Sequence, residues 1–315
     1  MTVDDIKEEI DKAQTVVIVT HEFPDGDAIG SSLAIYIMLK NIGKQAEVII
    51  PEMSKTFNYL PCINEIKTKG STEKYDLAIS LDCADIKRLN GFSEYFENAK
   101  KSISIDHHSN NTMFGDINYV NPAAPATAQI LVSMFQYWEI EITKEIGACL
   151  ITGIITDTGG FKYNTVTHET FDFASGLLQA GVNISKVYEN CMQIISKSRF
   201  ELTKIATNRL EFIENGKIAF TYINKEDEKL VNAEIGDYEG IVEQGRSVEG
   251  VEVSIFLRET DKGYKVSCRS TNDINVADIC SIFGGGGHAR AAGCTLPCSL
   301  DVAKEKIINE TKKYL

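Results

Sequence analysis

The sequence contains no Cys-x-x-Cys pair. Its eight cysteines are scattered, Cys294 and Cys298 being the closest two. A disulfide scaffold and a thiolate zinc site are therefore excluded, and a reduced, cytoplasmic setting is expected. Positive charge is also in deficit: 32 Lys and Arg stand against 45 Asp and Glu, a formal net charge of −13. Such a chain lacks the many cationic contacts that hold long nucleic acid, so long duplexes are not expected partners. A short phosphorylated ligand stays open, because bound divalent ions reverse the sign locally. No apolar run can span a bilayer, since the longest, within AIGSSLAIYIMLKNIG, is short and interrupted by polar residues. The start, MTVDDIKEEIDKAQ, is acidic and amphipathic rather than a signal peptide. Internal repeats and low-complexity segments are absent.

What is present is globular in character. A hydrophobic content of 43% and a charged content of 24% over 315 residues suit one large or two ordinary domains. The first half alternates β-branched runs, TVVIVT (15–20), QAEVII (45–50), DLAISLD (76–82) and KSISID (101–106), with helical stretches at 28–43, 124–138, 144–155 and 168–180. That alternation predicts an α/β fold with a mostly parallel sheet covered by helices on both faces. KVYENCMQIISKSRFELTKI (186–205) reads as a helical connector. Beyond it, KIAFTYI, VEVSIFLRE and GYKVSCRS are candidate strands, the last two forming a hairpin through Asp261–Gly263. VADICSIF and the C-terminal DVAKEKIINETKKYL read as helices and GGGGH as a loop, giving a smaller α/β domain with a mixed sheet. The expected division is 1–190, a linker at 191–205, and 206–315.

Three strand ends in the first half carry acids and histidines. HEFPDGD supplies His21, Asp25 and Asp27; SLDCADIKRL supplies Asp82; IDHHSNN supplies Asp106, His107 and His108. A fourth cluster, GIITDTGGFKY, supplies Asp157. Each taken alone has an ordinary explanation as a solvated turn or a helix-capping aspartate. Together they place oxygen and imidazole donors beyond the carboxyl ends of strands, where open α/β sheets build their sites. Such donors suit hard or borderline divalent metals, and mixed Asp/His shells suit Mn²⁺. In the second half, four consecutive glycines, Gly284 to Gly287, let backbone N–H groups approach a phosphate or base. Arg269, His288 and Arg290 add positive donors beside them. Arg258 and Lys265 fall on strands and read as solvated charges, and His168 as a surface residue near a helix start.

These motifs, with SCRS (267–270) and FGGGGHARAAG (283–293), resemble those of the DHH phosphoesterase superfamily with its C-terminal DHHA1 domain. The resemblance covers nearly the whole chain and is strongest to hydrolases of short oligoribonucleotides that also cleave 3′-phosphoadenosine 5′-phosphate (pAp). It implies two Mn²⁺ ions per chain, with Mg²⁺ or Co²⁺ as substitutes. One would be held by His21, Asp25 and Asp82, the other by Asp27, Asp82, His107 and Asp157, with Asp82 bridging. Asp106 would orient a ligand histidine through the ring nitrogen facing away from the metal, and His108 would face substrate phosphate. Arg269, Ser270, Gly284, Gly285, Gly286, Gly287 and His288 would bind substrate. The segment PAAPATAQIL departs from relatives that carry Ser–Thr and then Glu, which puts a helix-start hydroxyl contact in doubt. Implied partners are short RNA and pAp, without a membrane, and a homodimer is among the open assembly states. Three other functions stay in view: a linear or cyclic dinucleotide phosphodiesterase, a pyrophosphatase, and an inactive nucleotide sensor. The pyrophosphatase branch lacks GGGGH, and an inactive sensor would be marked by a lost ligand.

Overall fold

The computed structural model describes residues 2–50, 52–72, 74–271 and 273–315. The chain divides into two compact units, Met1–Ile194 and Ile195–Leu315. In the first, β1 (Thr15–Val19), β2 (Gln45–Ile49), β3 (Leu77–Leu81), β4 (Lys101–Asp106) and β5 (Ile117–Val120) pair in the order β2-β1-β3-β4-β5. Every pairing is parallel. The helices are α1 (Val3–Lys12), α2 (Gly26–Asn41), α3 (Ser93–Glu97), α4 (Thr127–Tyr137), α5 (Lys144–Asp157), α6 (His168–Gln179) and α7 (Ile184–Tyr188). The β-branched run of β1 shows why the sheet is buried on both sides. Val16 and Ile18 join the core built with α2, α4 and α5, whereas Val17 and Val19 pack with Leu89 and Phe96. The parallel α/β expectation is met. The edge strand β5 was not foreseen, because one buried and three half-buried residues give no run to read.

Two glycines set how closely α2 and α5 approach. A Cβ on Gly30 would lie 2.4 Å from the Cys149 carbonyl oxygen, and one on Gly153 would lie 2.4 Å from the Asp27 carboxylate. With no side chain at either position, the first turn of α2 lies against the last turns of α5. Asp25 caps α2, accepting from the N–H groups of Asp27 and Ala28 at 3.1 Å each. His168 is exposed at the first position of α6, as expected.

The connector region is helical with one break. After α7, a π-helical turn (Glu189–Gln193) ends at the extended residue Ile194, and Ser196 then caps α8 (Lys197–Asn208). The second unit continues with β6 (Glu211–Ile213), β7 (Ile218–Ile223), α9 (Lys225–Val231), α10 (Ile241–Arg246), β8 (Val253–Thr260), β9 (Gly263–Ser270), α11 (Val276–Ser281), β10 (Gly286–His288), β11 (Ala291–Leu296) and α12 (Leu300–Thr311). Its sheet has the order β10-β11-β9-β8-β7-β6, mixed because only β7 and β8 are parallel. The predicted β8/β9 hairpin is present, with Thr260 opposite Gly263. Ile255, Leu257 and Val266 pack with α11 and α12, while Phe256 packs with Leu202 of α8 and Ile241 of α10.

GGGGH is not wholly a loop. Gly286–His288 forms an edge strand paired with β11, His288 lying opposite Ala291. Gly285 and Gly287 are needed for that pairing, since a Cβ would meet the Gly293 carbonyl oxygen at 2.2 Å and the Ala291 carbonyl oxygen at 2.5 Å respectively. Gly284 and Gly286 face open space instead.

Candidate metal centre

The strand order reverses at β1, and β1, β3 and β4 are consecutive neighbours there. Crevices at such a reversal, beyond the carboxyl ends of the strands, are where open α/β sheets bind ligands. His21 follows β1, Asp82 follows β3, and Asp106 ends β4 with His107 and His108 immediately after. Thr20 Oγ1 donates to the Leu81 carbonyl at 2.8 Å, fastening the ends of β1 and β3 together. Asp27 enters from the first turn of α2 and Asp157 from the last residue of α5.

The structure brings all six expected ligands together. Ligand atoms of His21, Asp25 and Asp82 lie within 4.8 Å of one another, as do those of Asp27, His107 and Asp157, and those of Asp82, His107 and His108. His107 Nε2 is 3.1 Å from Asp157 Oδ2 and 3.5 Å from Asp82 Oδ1, and His21 Nε2 is 3.8 Å from Asp82 Oδ2. Asp82 thus faces both groups of donors, and its backbone is left-handed with φ 55°. Strain of this kind in a non-glycine residue gathers at functional sites.

Polar support comes from several elements. Asp27 accepts from the N–H groups of Thr127 and Ala128 at 2.6 and 2.8 Å, so it caps α4 from 100 residues away in sequence. Thr127 Oγ1 donates to Asp82 Oδ1 at 3.2 Å. The helix-start hydroxyl contact that PAAPATAQIL put in doubt is therefore made. A second correction concerns Asp106. The ring nitrogen of His107 that faces away from the acids, Nδ1, lies 3.2 Å from the Ala124 carbonyl rather than at Asp106. Asp106 instead sits 2.7 Å from Nδ1 of His108 and accepts from the His107 backbone N–H at 2.8 Å and from Asn111 at 2.7 Å. A carbonyl and a carboxylate both accept, so each fixes a proton on Nδ1 and turns Nε2 into the acceptor nitrogen.

The electrostatics ask for a cation. Asp27 and Asp82 are 0% and 1% exposed. Burial raises the carboxyl of Asp82 well above the usual range, and Asp27, Asp25 and Asp157 raise it further. Burial likewise raises Asp27 against the pull of His107, and pushes Asp157 up to about 8 despite its contact with His107. Burial lowers His107 but its partner Asp157 outweighs that, leaving it at about 9. His21 is drawn down to about 4 by burial, so its imidazole is neutral, the form that ligates, and its buried Nδ1 has no hydrogen-bond partner. Asp106 differs: burial would raise it, yet hydrogen bonds from His108 and Asn111 hold it below the ordinary value. Three carboxyls raised by burial and by one another, beside an orphaned imidazole nitrogen, fit divalent ions with Asp/His ligands.

Sequence reasoning passed over Asn111, the Ala124 carbonyl and Arg88, and left the Thr127 hydroxyl in doubt. The Arg88 carbonyl accepts from the Glu22 N–H at 2.8 Å, which ties the loop bearing His21 to the turn after β3. The Ala124 and Arg88 contacts have no local signal, because each joins segments remote in sequence. Of the expected substrate residues, Arg269 is half-buried, donating from Nε to Glu243 at 2.9 Å and from Nη1 to the Cys268 carbonyl at 3.1 Å. Gly284, Gly286, Gly287 and His288 are exposed and Gly285 half-buried. Ser270 does not fit the expectation: it is 1% exposed and its hydroxyl donates to the Ile274 carbonyl at 2.7 Å, so it serves the fold.

Residues 15–154 match the model of the DHH family, N-terminal domain, and residues 215–315 that of the DHHA1 domain. The chain is 34% identical over 305 residues to the bifunctional oligoribonuclease and PAP phosphatase NrnA of Thermus thermophilus, covering 95% of this chain and 90% of that one. It is 28% identical over 332 residues to the cyclic-di-AMP phosphodiesterase PdeA of Listeria monocytogenes, covering 98% of this chain but 48% of that one. An exopolyphosphatase-related protein from Bacteroides fragilis has the same fold in its crystal structure, with a TM-score of 0.92 at 28% identity over 99% of this chain and 96% of that one.

Proposed function

Since the chain belongs to the DHH family and carries a DHHA1 domain behind the DHH domain, we propose that it is a manganese-dependent phosphoesterase that hydrolyses short oligoribonucleotides to mononucleotides and pAp to AMP and phosphate. The observation that carries this reading is the pair of Asp/His ligand sets meeting at Asp82. His21, Asp25 and Asp82 would hold one ion and Asp27, Asp82, His107 and Asp157 the other. When bound, two dications supply the acidity that turns a water into a nucleophile near neutral pH and the charge that neutralises the phosphoryl oxygens. Mg²⁺ and Co²⁺ are the expected substitutes.

The remaining steps fall to the chain itself. The Ala124 carbonyl keeps the His107 ring oriented with Nε2 toward Asp82 and Asp157. Asp106, held ionised by its hydrogen bonds, orients His108 through Nδ1. In the protonated form His108 stabilises phosphoryl charge and delivers a proton to the leaving oxygen from Nε2. In the second unit, Arg269 supplies a guanidinium edge for phosphate, with Gly284 and Gly286 offering unobstructed backbone and His288 a further donor. The working division is a catalytic domain at 1–190, a linker at 191–205 and a substrate-binding domain at 206–315.

A second reading, hydrolysis of linear or cyclic dinucleotides, is favoured by the likeness to the Listeria phosphodiesterase over 98% of this chain. Turnover of pAp, a short RNA, cyclic di-AMP and pyrophosphate should be compared side by side with Mn²⁺ and after chelation. Metal-dependent cleavage of pAp and short RNA is expected. Turnover of cyclic di-AMP alone would install the second reading, and turnover of pyrophosphate alone would overturn both.

A further inference from the structure

Directly after α5 the chain makes a turn that its own sequence resists. Gly159, Gly160 and Phe161 are left-handed one after another, with φ of 58°, 74° and 66°. Glycine takes that conformation freely, whereas a bulky residue such as phenylalanine does not. Backbone strain of this kind gathers at functional sites, and the turn begins at Asp157 of the candidate metal centre. It is fastened on three sides. The fully buried Thr158 accepts at Oγ1 from the Phe161 N–H at 2.9 Å, and at its carbonyl from the N–H groups of Lys162 and Tyr163 at 2.9 and 3.1 Å. Phe161 packs against the core and stacks on Phe171 of α6, with ring centres 5.5 Å apart. Gly160 lies against the ring of Tyr188 of α7, which a Cβ would meet at 2.8 Å.

What the turn presents is Tyr163. A Cβ on Gly159 would lie 2.6, 2.9 and 2.9 Å from Cζ, Cε1 and Cε2 of that ring. Near-equal distances to three neighbouring ring atoms put the glycine over the face of the ring rather than at its edge. The ring therefore rests flat on the backbone with its other face outward, and Tyr163 is 44% exposed. Gly159 is two residues past Asp157, so the two Cα atoms lie within about 7 Å of each other. Lys162 Nζ lies 5.4 Å from the ring centre, on an exposed side chain that can swing aside. That distance is near the outer limit of a cation–π attraction.

A flat aromatic face fixed in advance costs little to order on binding, and it stacks with any base. Within the hydrolytic reading, on which this inference rests, pAp and pApA lose the same bond. The oxygen of water joins phosphorus, the bond from phosphorus to the 3′ oxygen of the first adenosine breaks, and that oxygen takes a proton. The two substrates differ in the second nucleoside, which pAp lacks. We propose that Tyr163 is a stacking platform for the base of this second nucleotide, the one that carries the scissile phosphate away. Tyr163 then makes a centre able to remove a terminal phosphate prefer a dinucleotide, and its single face holds one base rather than a strand.

The test compares pApA, its analogue with no base on the second ribose, and pAp. In wild type with Mn²⁺, KM for pApA is expected to be about tenfold below that for the abasic analogue, the size of one base–aromatic stack. Tyr163→Ala should remove that difference, and Tyr163→Phe and Tyr163→Trp should retain it, with KM for pApA moving far more than kcat. A tyrosine that serves the fold alone would instead weaken all three substrates alike in Tyr163→Ala, with a lower Tm, and that result would overturn the proposal. A binding arm needs no turnover. Tyr163→Trp, read against wild type with its one tryptophan, Trp138, should lose fluorescence with pApA and keep it with the abasic analogue. No KM difference in wild type, or one that survives in Tyr163→Ala, overturns the platform while leaving metal-dependent hydrolysis standing. Quenching by pApA in a protein that hydrolyses neither pApA nor pAp would do the reverse.

Discussion

Asp82 holds a left-handed backbone and a carboxylate that is 1% exposed, and it faces both ligand sets. A residue kept at that cost, of order 1–3 kcal/mol for the backbone alone, is expected to matter for turnover and not for the fold. Asp82→Ala should therefore abolish hydrolysis while the Tm of the chelated protein stays level or rises, since a crowded carboxyl has gone. Near-normal kcat in this variant would show that Asp82 does not bridge. Asp157 allows a test by pH. Burial raises its carboxyl to about 8 in the folded chain, against about 3.9 for an unperturbed aspartate. Between those values the native state binds more protons than the unfolded state, so the stability this group contributes is full below about 4 and is lost as pH rises through about 8. Chelated wild type should lose Tm across that window more steeply than Asp157→Asn, and Mn²⁺ should restore most at the alkaline end. Equal slopes in the two proteins would remove Asp157 from the cluster. The acids and histidines were legible because they sit in four short motifs after strands. Which histidine Asp106 holds was not, because the turn at 106–108 decides it and adjacent histidines look alike in sequence.

Elements carry the site through close packing, and α2 against α5 is the decisive contact. Gly30→Ala would drive a methyl group into the Cys149 carbonyl, a backbone atom that cannot rotate away. Overpacking of this kind costs about 1–3 kcal/mol. The variant is expected to lose that much in urea unfolding, and to lose Mn²⁺ affinity too, because Asp27 and Asp157 ride on the separated helices. Lost stability with unchanged metal affinity would show that the helix spacing does not set the ligands. The strands that bear motifs were legible as β-branched runs, and α2 from Pro24 and Gly26 ahead of an apolar stretch. β11, AAGCTL, was hidden because alanine and glycine are weak strand formers. β10 was hidden because four glycines read as a loop, whereas two of them are there to let one backbone lie against another. The cap on α4 is supplied by Asp27 from another helix, so Ala126 before it gives no signal.

Over the whole molecule, the two-unit chain carries a net charge of −13, and the cations assigned to substrate are confined to a few positions. The composition disfavours a long polyanion, and the structure gathers three of the cations at one place. It places Arg258, Lys265 and Arg269 around one cleft and neutralises part of that charge with Glu243. Affinity should come from the terminal nucleotide and its phosphates, with little gained from a strand trailing beyond them. Among the described residues no helix is long and apolar enough to cross a membrane. The measurement that bears most directly on the proposed function is kcat/KM for a length series of 5′-labelled RNA at fixed Mn²⁺ and salt. Efficiency is expected to peak at about two to five nucleotides and to fall steeply beyond, as few phosphate contacts require. Equal or rising efficiency up to about twenty nucleotides, where a continuous cationic track would be needed, would contradict a short-substrate phosphoesterase and indicate a processive exonuclease.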